Sequence, residues 1–260
     1  DTDYTMQIKD LGITDSEIAD QYKYTQDIVT DSKGVLKGLS WQGCPGVLIY
    51  NRDIAKEVLG TDDPAEVQKS VSDWSTFEKT AKTMKDSGYF MVSGFDDTFR
   101  VFSNNVSSPW VVDGKVVIDD NIMNWVSQTK TFTDNGYNNQ SSLWDDNWSK
   151  GFYPEGKVFC YFGPAWFVDF SMNVSDAASI AANGGWAATE GPQGFFWGGT
   201  WICAAQGTDN TTLWRQIHLI RVRFLADRIH LQCSVQVQTR LTSATFHPMI
   251  RAVTRSSRRL

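Results

Sequence analysis

Apolar residues recur at helical spacing before residue 40. Ile18 and Tyr22 lie on one stripe, Asp15 offers an N-cap, and Asp31-Ser32-Lys33-Gly34 reads as a closing turn, so one amphipathic helix is predicted there. The pattern then changes. Gly46-Val47-Leu48-Ile49-Tyr50 is a continuous apolar run rich in β-branched residues and predicts a buried strand. Asn51-Arg52-Asp53 opens a helix through Ile54, Ala55, Val58 and Leu59, and Gly60 is placed to end it in the left-handed conformation. Ser75-Thr76-Phe77-Glu78 has the form of a capping box. It precedes Phe77, Ala81 and Met84 at i, i+4 and i+7, which predicts a second helix stopping at Ser87-Gly88. A third is predicted from Asp119-Asp120 through Ile122, Trp125, Val126 and Thr129 to Asn135-Gly136. Between these two, Val111-Val112-Asp113-Gly114-Lys115-Val116-Val117-Ile118 places Asp-Gly between apolar pairs, a hairpin signal. Strands are predicted again over 157–162 and 200–205. Helices and strands thus alternate along the chain with no internal repeat and no low-complexity linker, and an α/β layered architecture follows.

Composition adds to this picture. With 260 residues and 41% apolar content, the chain has room for one large or two modest domains. No run of about 18 apolar residues occurs. The chain opens at Asp1 without a basic and apolar leader, so any signal or lipid-anchor segment is expected outside these residues. The 11 Trp are several times an average share, and indole combines a broad apolar face with a polar edge, which suits cores, interfaces and the C–H faces of sugars alike. Cys44, Cys160, Cys203 and Cys233 match neither a zinc spacing nor a disulfide framework; Cys160 and Cys203 lie in apolar strand-like runs and are read as buried free thiols.

Charge divides the chain. Residues 1–213 carry −14 and residues 214–260 carry +8, with 9 Arg, no Lys and one acid in the latter stretch. The last Lys is Lys157 and the last Gly is Gly207, while His218, His230 and His247 all lie in the tail. Clustered Arg suits a nucleic-acid or membrane-surface arm. The complete exchange of Lys for Arg, with glycines and acids lost together, fits a frameshifted or mis-assembled coding end better. No native function is assigned to the tail, although residues 214–225 are compatible with a short helix.

The chemistry-bearing motifs are mostly missing. GxGxxG, the Walker A pattern, HExxH and GxSxG do not occur, and residues 1–213 contain no His, which removes the commonest general base and every Ser-His-Asp or Cys-His arrangement. A hydrolase working with carboxylates alone would draw on Asp145, Asp146 and Glu155; adjacent Asp145 and Asp146 in a loop also suit capping. Thr61-Asp62-Asp63-Pro64 lacks calcium-loop spacing, and sequons such as those at Asn105 and Asn147 carry little weight.

Several segments in order carry a resemblance: Gly38-Leu-Ser-Trp-Gln ahead of the first strand, Tyr50-Asn-Arg-Asp, Ser72-Asp-Trp-Ser-Thr-Phe, Gly156-Lys-Val-Phe-Cys-Tyr-Phe-Gly-Pro-Ala-Trp166, Gly191-Pro-Gln, and Trp197-Gly-Gly-Thr-Trp-Ile-Cys-Ala-Ala. Over about residues 1–213 the chain resembles the extracellular solute-binding proteins of family 1, the maltose-binding-protein-like group serving carbohydrate ABC importers. The resemblance implies a type II periplasmic-binding-protein-like α/β fold with two hinged lobes, the first incomplete. Residues 1–38 would end the first lobe, 39–198 form the second and 199–213 return to the first, leaving 214–260 as the foreign tail. It implies a non-catalytic carbohydrate-binding component, extracellular or anchored at a bacterial cell surface, monomeric, without cofactor or metal, and partnered by membrane permease subunits and not by nucleic acid. The alternative reading is a carbohydrate-active hydrolase using Asp or Glu.

A saccharide presents apolar ring faces and a hydroxyl rim, so its site needs aromatic plates with a few convergent polar groups. The residues that meet this demand near the implied lobe boundary are Trp41, Gln42, Trp166 and Trp197, with Asp145 beside Trp144, and Arg100 with Asp96, as further candidates. Arg100 and Asp96 also suit a surface salt bridge, and Trp166 equally suits a core position. Gly198 and Gly199 are the expected hinge. Trp74, Trp125 and Trp186 are expected on helix starts or faces in structural roles, and Trp201 is compatible with either face of its strand.

Overall fold

The computed structural model describes residues 3–40 and 42–216. Trp41, Cys233, the three histidines and the tail from residue 217 onward lie outside the described residues. In chain order the elements are helix α1 (Lys23–Asp27), strands β1 (Leu39–Ser40) and β2 (Pro45–Asn51), and helices α2 (Arg52–Leu59), α3 (Pro64–Lys69), α4 (Trp74–Asp86) and α5 (Phe99–Ser103). Hairpin strands β3 (Val111–Val112) and β4 (Lys115–Val116) follow, then helices α6 (Asp120–Asp134) and α7 (Asp146–Ser149), strand β5 (Cys160–Gly163), helix α8 (Ala165–Phe170), and strands β6 (Trp186–Thr189), β7 (Phe195–Phe196) and β8 (Trp201–Ile202). Two compact units emerge: a central one, Pro45–Trp197, and a flanking one that takes the described residues up to Cys44 and from Gly198.

In the central unit the apolar run becomes β2, and β2 is the middle of the sheet. β5 and β6 pair with it on either side, both antiparallel, so that Leu48 stands opposite both Phe162 and Thr189, and β7 pairs with its first residues. Both faces of β2 are buried, as a run without alternation requires. Helix α4 sets Phe77, Ala81 and Met84 fully inside the core, the i, i+4, i+7 stripe read from sequence. Its N-cap is Asp73 and not Ser75: the Asp73 carboxylate accepts from the Thr76 N–H at 2.8 Å, and Ser75 falls inside the first turn. Asp113-Gly114 forms the two-residue hairpin turn, with φ of 50° and 74°, and Val111 pairs with Val116.

Asn51 couples the central strand to α2. Its side-chain oxygen accepts from the Asp53 and Ile54 N–H groups at 2.9 and 3.2 Å, and Gly60 ends the helix at φ 78°. Because Asn51 is also the last residue of β2 and is buried, the cap has little access to water as a substitute. Asn51→Ala is expected to lower unfolding stability by about 1–2 kcal/mol, with Asn51→Ser recovering most of it, measured by urea denaturation.

The flanking unit departs from the single helix predicted before residue 40. Three short pieces stand there: 3-10 turns at Ile8–Leu11 and Asp15–Glu17, and α1. Gly12 at φ 73° ends the first. Thr14, not Asp15, caps the second through a reciprocal box with Glu17, and Ile18 then leaves helical geometry to enter the core. That core consists of Ile8, Leu11, Ile13, Ile18, Leu39 and Ala204, with Trp214 packed against it. The chain is helical over 211–216, and Arg215 donates to the Gly12 carbonyl at 3.1 Å and to Glu17 at 3.2 Å. The rest of the helix expected over 214–225 lies outside the described residues. β1 pairs antiparallel with β8.

Smaller corrections follow from packing. The predicted strand over 157–162 begins only at Cys160, since Lys157 takes φ 53° after a 3-10 turn. The one over 200–205 shortens to β8 plus a bridge from Ala205 to Thr5. Trp186 is a buried strand residue, not a helical one. Cys160 is a buried free thiol and Cys44 is buried, whereas Cys203 is exposed because it follows the end of β8. Among the described residues no helix is long and apolar enough to cross a membrane, and no group of three metal-ligating side chains forms.

Candidate functional site

One short segment, Ser93-Gly94-Phe95-Asp96-Asp97, builds the polar frame of the central unit. The Asp97 carboxylate is buried and accepts from the N–H groups of Ser93 (2.9 Å) and Gly94 (2.8 Å) and from the Trp148 indole (2.6 Å). Burial pushes its pKa up from 3.8 to about 7, against the pull of these donors and helped by the neighbouring Asp96 charge. Asp96 turns the other way and accepts from the Ser142 hydroxyl and the Leu143 N–H, both at 2.9 Å. Together the adjacent carboxylates grip both ends of the loop that runs from Ser142 to Trp148.

That loop carries Trp144. Its backbone sits at φ 74°, a strained position for a bulky side chain, and its ring is 53% exposed. The ring lies 5.2 Å from Trp148, 5.8 Å from Trp197 and 6.3 Å from Phe167, measured between centroids. Trp166, at the start of α8, packs edge-on against Trp197 at 5.3 Å and donates its indole N–H to the Trp197 carbonyl at 3.3 Å. Phe167 is fully buried behind them. The result is a wall of indoles with Trp148 and Phe167 as its buried backing and Trp144 and Trp166 at its accessible side.

Arg100 completes the wall. It stands on α5, and its guanidinium carbon lies 4.4 Å from the Trp197 ring centroid, in cation–π geometry. The side chain is half-buried, its Nε is buried without a hydrogen-bond partner, and burial holds its pKa below the usual arginine range. The salt bridge with Asp96 weighed from sequence does not form among the described residues, because the Asp96 oxygens are engaged by the loop.

The structure therefore brings Arg100, Trp166 and Trp197 together, 97 residues apart at the extremes, with Trp144, a further sequence candidate, beside them. Asp145 follows directly: it is exposed, sits at the N-cap position of α7, and accepts from the Ser142 N–H at 3.0 Å. Glu155 and Asp146 are likewise exposed. Gln42 belongs to the flanking unit, where its N–H bonds the Ser40 hydroxyl at 3.1 Å. Gly198 and Gly199, where the chain leaves the central unit, hold φ of 89° and 126°, and a Cβ on Gly199 would collide with the Trp201 indole. Trp74 and Trp125 are helix residues as expected, Trp74 bonding Gln193 and stacking on Phe102 at 4.4 Å. Trp201 turns inward and donates to the Thr25 carbonyl at 2.8 Å. Sequence reasoning passed over Asp97 and Trp148; the only signal for them was an Asp pair upstream of a Trp-rich loop.

Comparison with known proteins extends these observations. Residues 1–222 match the family model described as bacterial extracellular solute-binding protein. No curated protein matches the chain in sequence. Among solved structures, an extracellular solute-binding protein of family 1 superposes with a TM-score of 0.71 at 18% identity, covering 87% of this chain and 59% of that one. The ABC transporter associated binding protein from B. animalis subsp. lactis, in complex with β-1,6-galactobiose, gives a TM-score of 0.58 at 17% identity over 86% of this chain and 57% of that one. The galacto-N-biose-/lacto-N-biose I-binding protein from Bifidobacterium longum, in complex with lacto-N-biose, gives 0.58 at 16% identity, with 84% and 55% covered. The fold is thus that of the periplasmic-binding-protein-like class, and the chain spans less than two thirds of the length of these structures.

Proposed function

We propose that this chain, which belongs to the bacterial extracellular solute-binding protein family, is the carbohydrate-binding component of an ABC import system. The observation that carries the reading is the indole wall of the central unit, where Trp144, Trp166 and Trp197 stand beside a guanidinium with an unpartnered nitrogen. Flat apolar plates next to a polar donor answer the two surfaces of a sugar ring. The relatives in complex with galactobiose and lacto-N-biose support the same ligand class. Trp166, Trp197 and Arg100 are assigned as ligand contacts together with Trp144, and Asp145, Gln42 and Trp41 as further contacts on the strength of the resemblance. Gly198 and Gly199 are assigned as the hinge, their left-handed backbone marking where the chain passes from one unit to the other. Permease subunits are the proposed partners, at a bacterial cell surface.

The family binds its substrates, and this protein is proposed to break no bond. Calorimetric titration with a panel of mono- and disaccharides tests this: at least one is expected to bind, quenching or shifting indole fluorescence, and to be recovered unchanged by chromatography. Failure of every saccharide to bind at millimolar concentration, or turnover abolished by Asp145→Asn, would overturn the reading.

A further inference from the structure

Arg100 is anomalous within the wall it completes. A guanidinium withdrawn from water carries a desolvation cost that an opposite charge normally offsets. Here no described carboxylate lies within ion-pair distance of it, and Asp96 acts only as an opposite charge at longer range. The two nearest in sequence are engaged elsewhere, Asp96 by Ser142 and Leu143 and Asp97 by Ser93, Gly94 and Trp148. The Trp197 face supplies only cation–π attraction, and Nε makes no hydrogen bond. The other half-buried arginine of the central unit, Arg52, shows the ordinary arrangement: it pairs with Asp62 at 2.9 Å. Sugar hydroxyls would satisfy donors but leave the charge without a direct partner, whereas a planar carboxylate meets the guanidinium with two parallel hydrogen bonds.

We propose that Arg100 is the seat of a carboxylate on the ligand, so that the saccharide taken by the indole wall is of the uronic acid class and not a neutral hexose. This rests on the carbohydrate reading above. The ring stacks on the indoles while the carboxylate bonds the guanidinium edge, and the site therefore reads ring and charge through separate groups.

The test is calorimetric titration of the whole chain with glucuronate, galacturonate, glucose, galactose and acetate at low salt, repeated with Arg100→Gln. One of the uronates is expected to bind at least about tenfold more tightly than its neutral hexose, with the preference weakening as salt rises. In Arg100→Gln that preference is expected to collapse to under about twofold, whatever the change in hexose affinity. The comparison within the unsubstituted protein needs no variant, so it decides even if Arg100→Gln folds poorly. A neutral hexose binding as tightly as its uronate overturns the proposal and leaves the carbohydrate reading standing. Acetate matching the uronate also overturns it, because a bare anion site would then be present. If no saccharide binds, the carbohydrate reading itself falls and takes this proposal with it.

Discussion

Asp97→Ala is expected to lower unfolding stability by about 3–5 kcal/mol near pH 4, and by less as pH rises towards 7, the largest effect of any polar substitution in the central unit. Three donors lose their acceptor at once: the Ser93 and Gly94 N–H groups and the Trp148 indole, all without access to water in the native packing. Each orphaned donor costs about 1–3 kcal/mol, partly recovered by local relaxation. The same residue sets a pH dependence whose sign follows from proton counts. With its pKa raised from 3.8 to about 7, the native state holds a proton between those values that the unfolded state has released. Its contribution is therefore complete below about pH 4 and is lost as pH rises through about 7, by up to about 4 kcal/mol. Asp97→Asn does not titrate, so its denaturation midpoint is expected to change less across this window than that of the parent. Parallel profiles for the two proteins would show that Asp97 is ionised throughout.

What the sequence reveals here depends on how local the determining interaction is. The Asn51 cap, the Gly60 stop, the Asp113-Gly114 turn and the Phe77, Ala81, Met84 stripe are decided within a few residues, and each is legible. The helix expected before residue 40 failed because its stripe ignored Gly12 and the Thr14–Glu17 box, which cut the segment into pieces whose apolar ends turn into a small core. Asp96 and Asp97 are indistinguishable as letters. Only the packing shows that one faces a loop while its neighbour lies under Trp148. Arg100 and Trp197 could be suspected separately from composition and resemblance, yet their stacking depends on the placement of α5 and β7 around β2, where the Asn104 side chain accepts from the Phe196 N–H at 2.9 Å. Local propensity does not encode that distance.

Trp144→Gly is expected to weaken saccharide binding about thirtyfold while leaving stability within about 1 kcal/mol of the parent. Two opposed terms keep the stability nearly level. Glycine relieves the left-handed strain at φ 74°, worth about 1–2 kcal/mol, and deletes ring contacts that are only partly buried. Binding has no such compensation, since the exposed indole face is removed outright. Trp148→Phe is the informative comparison: it keeps apolar volume but leaves the Asp97 Oδ1 without its indole donor, so its cost is expected mainly in stability. A strained aromatic held open to solvent by two carboxylate clamps has no evident packing reason, because relaxing it would cost the fold little. Retained affinity in Trp144→Gly, measured by calorimetry against whichever saccharide the parent binds, would remove Trp144 from the site and leave its strain without a purpose.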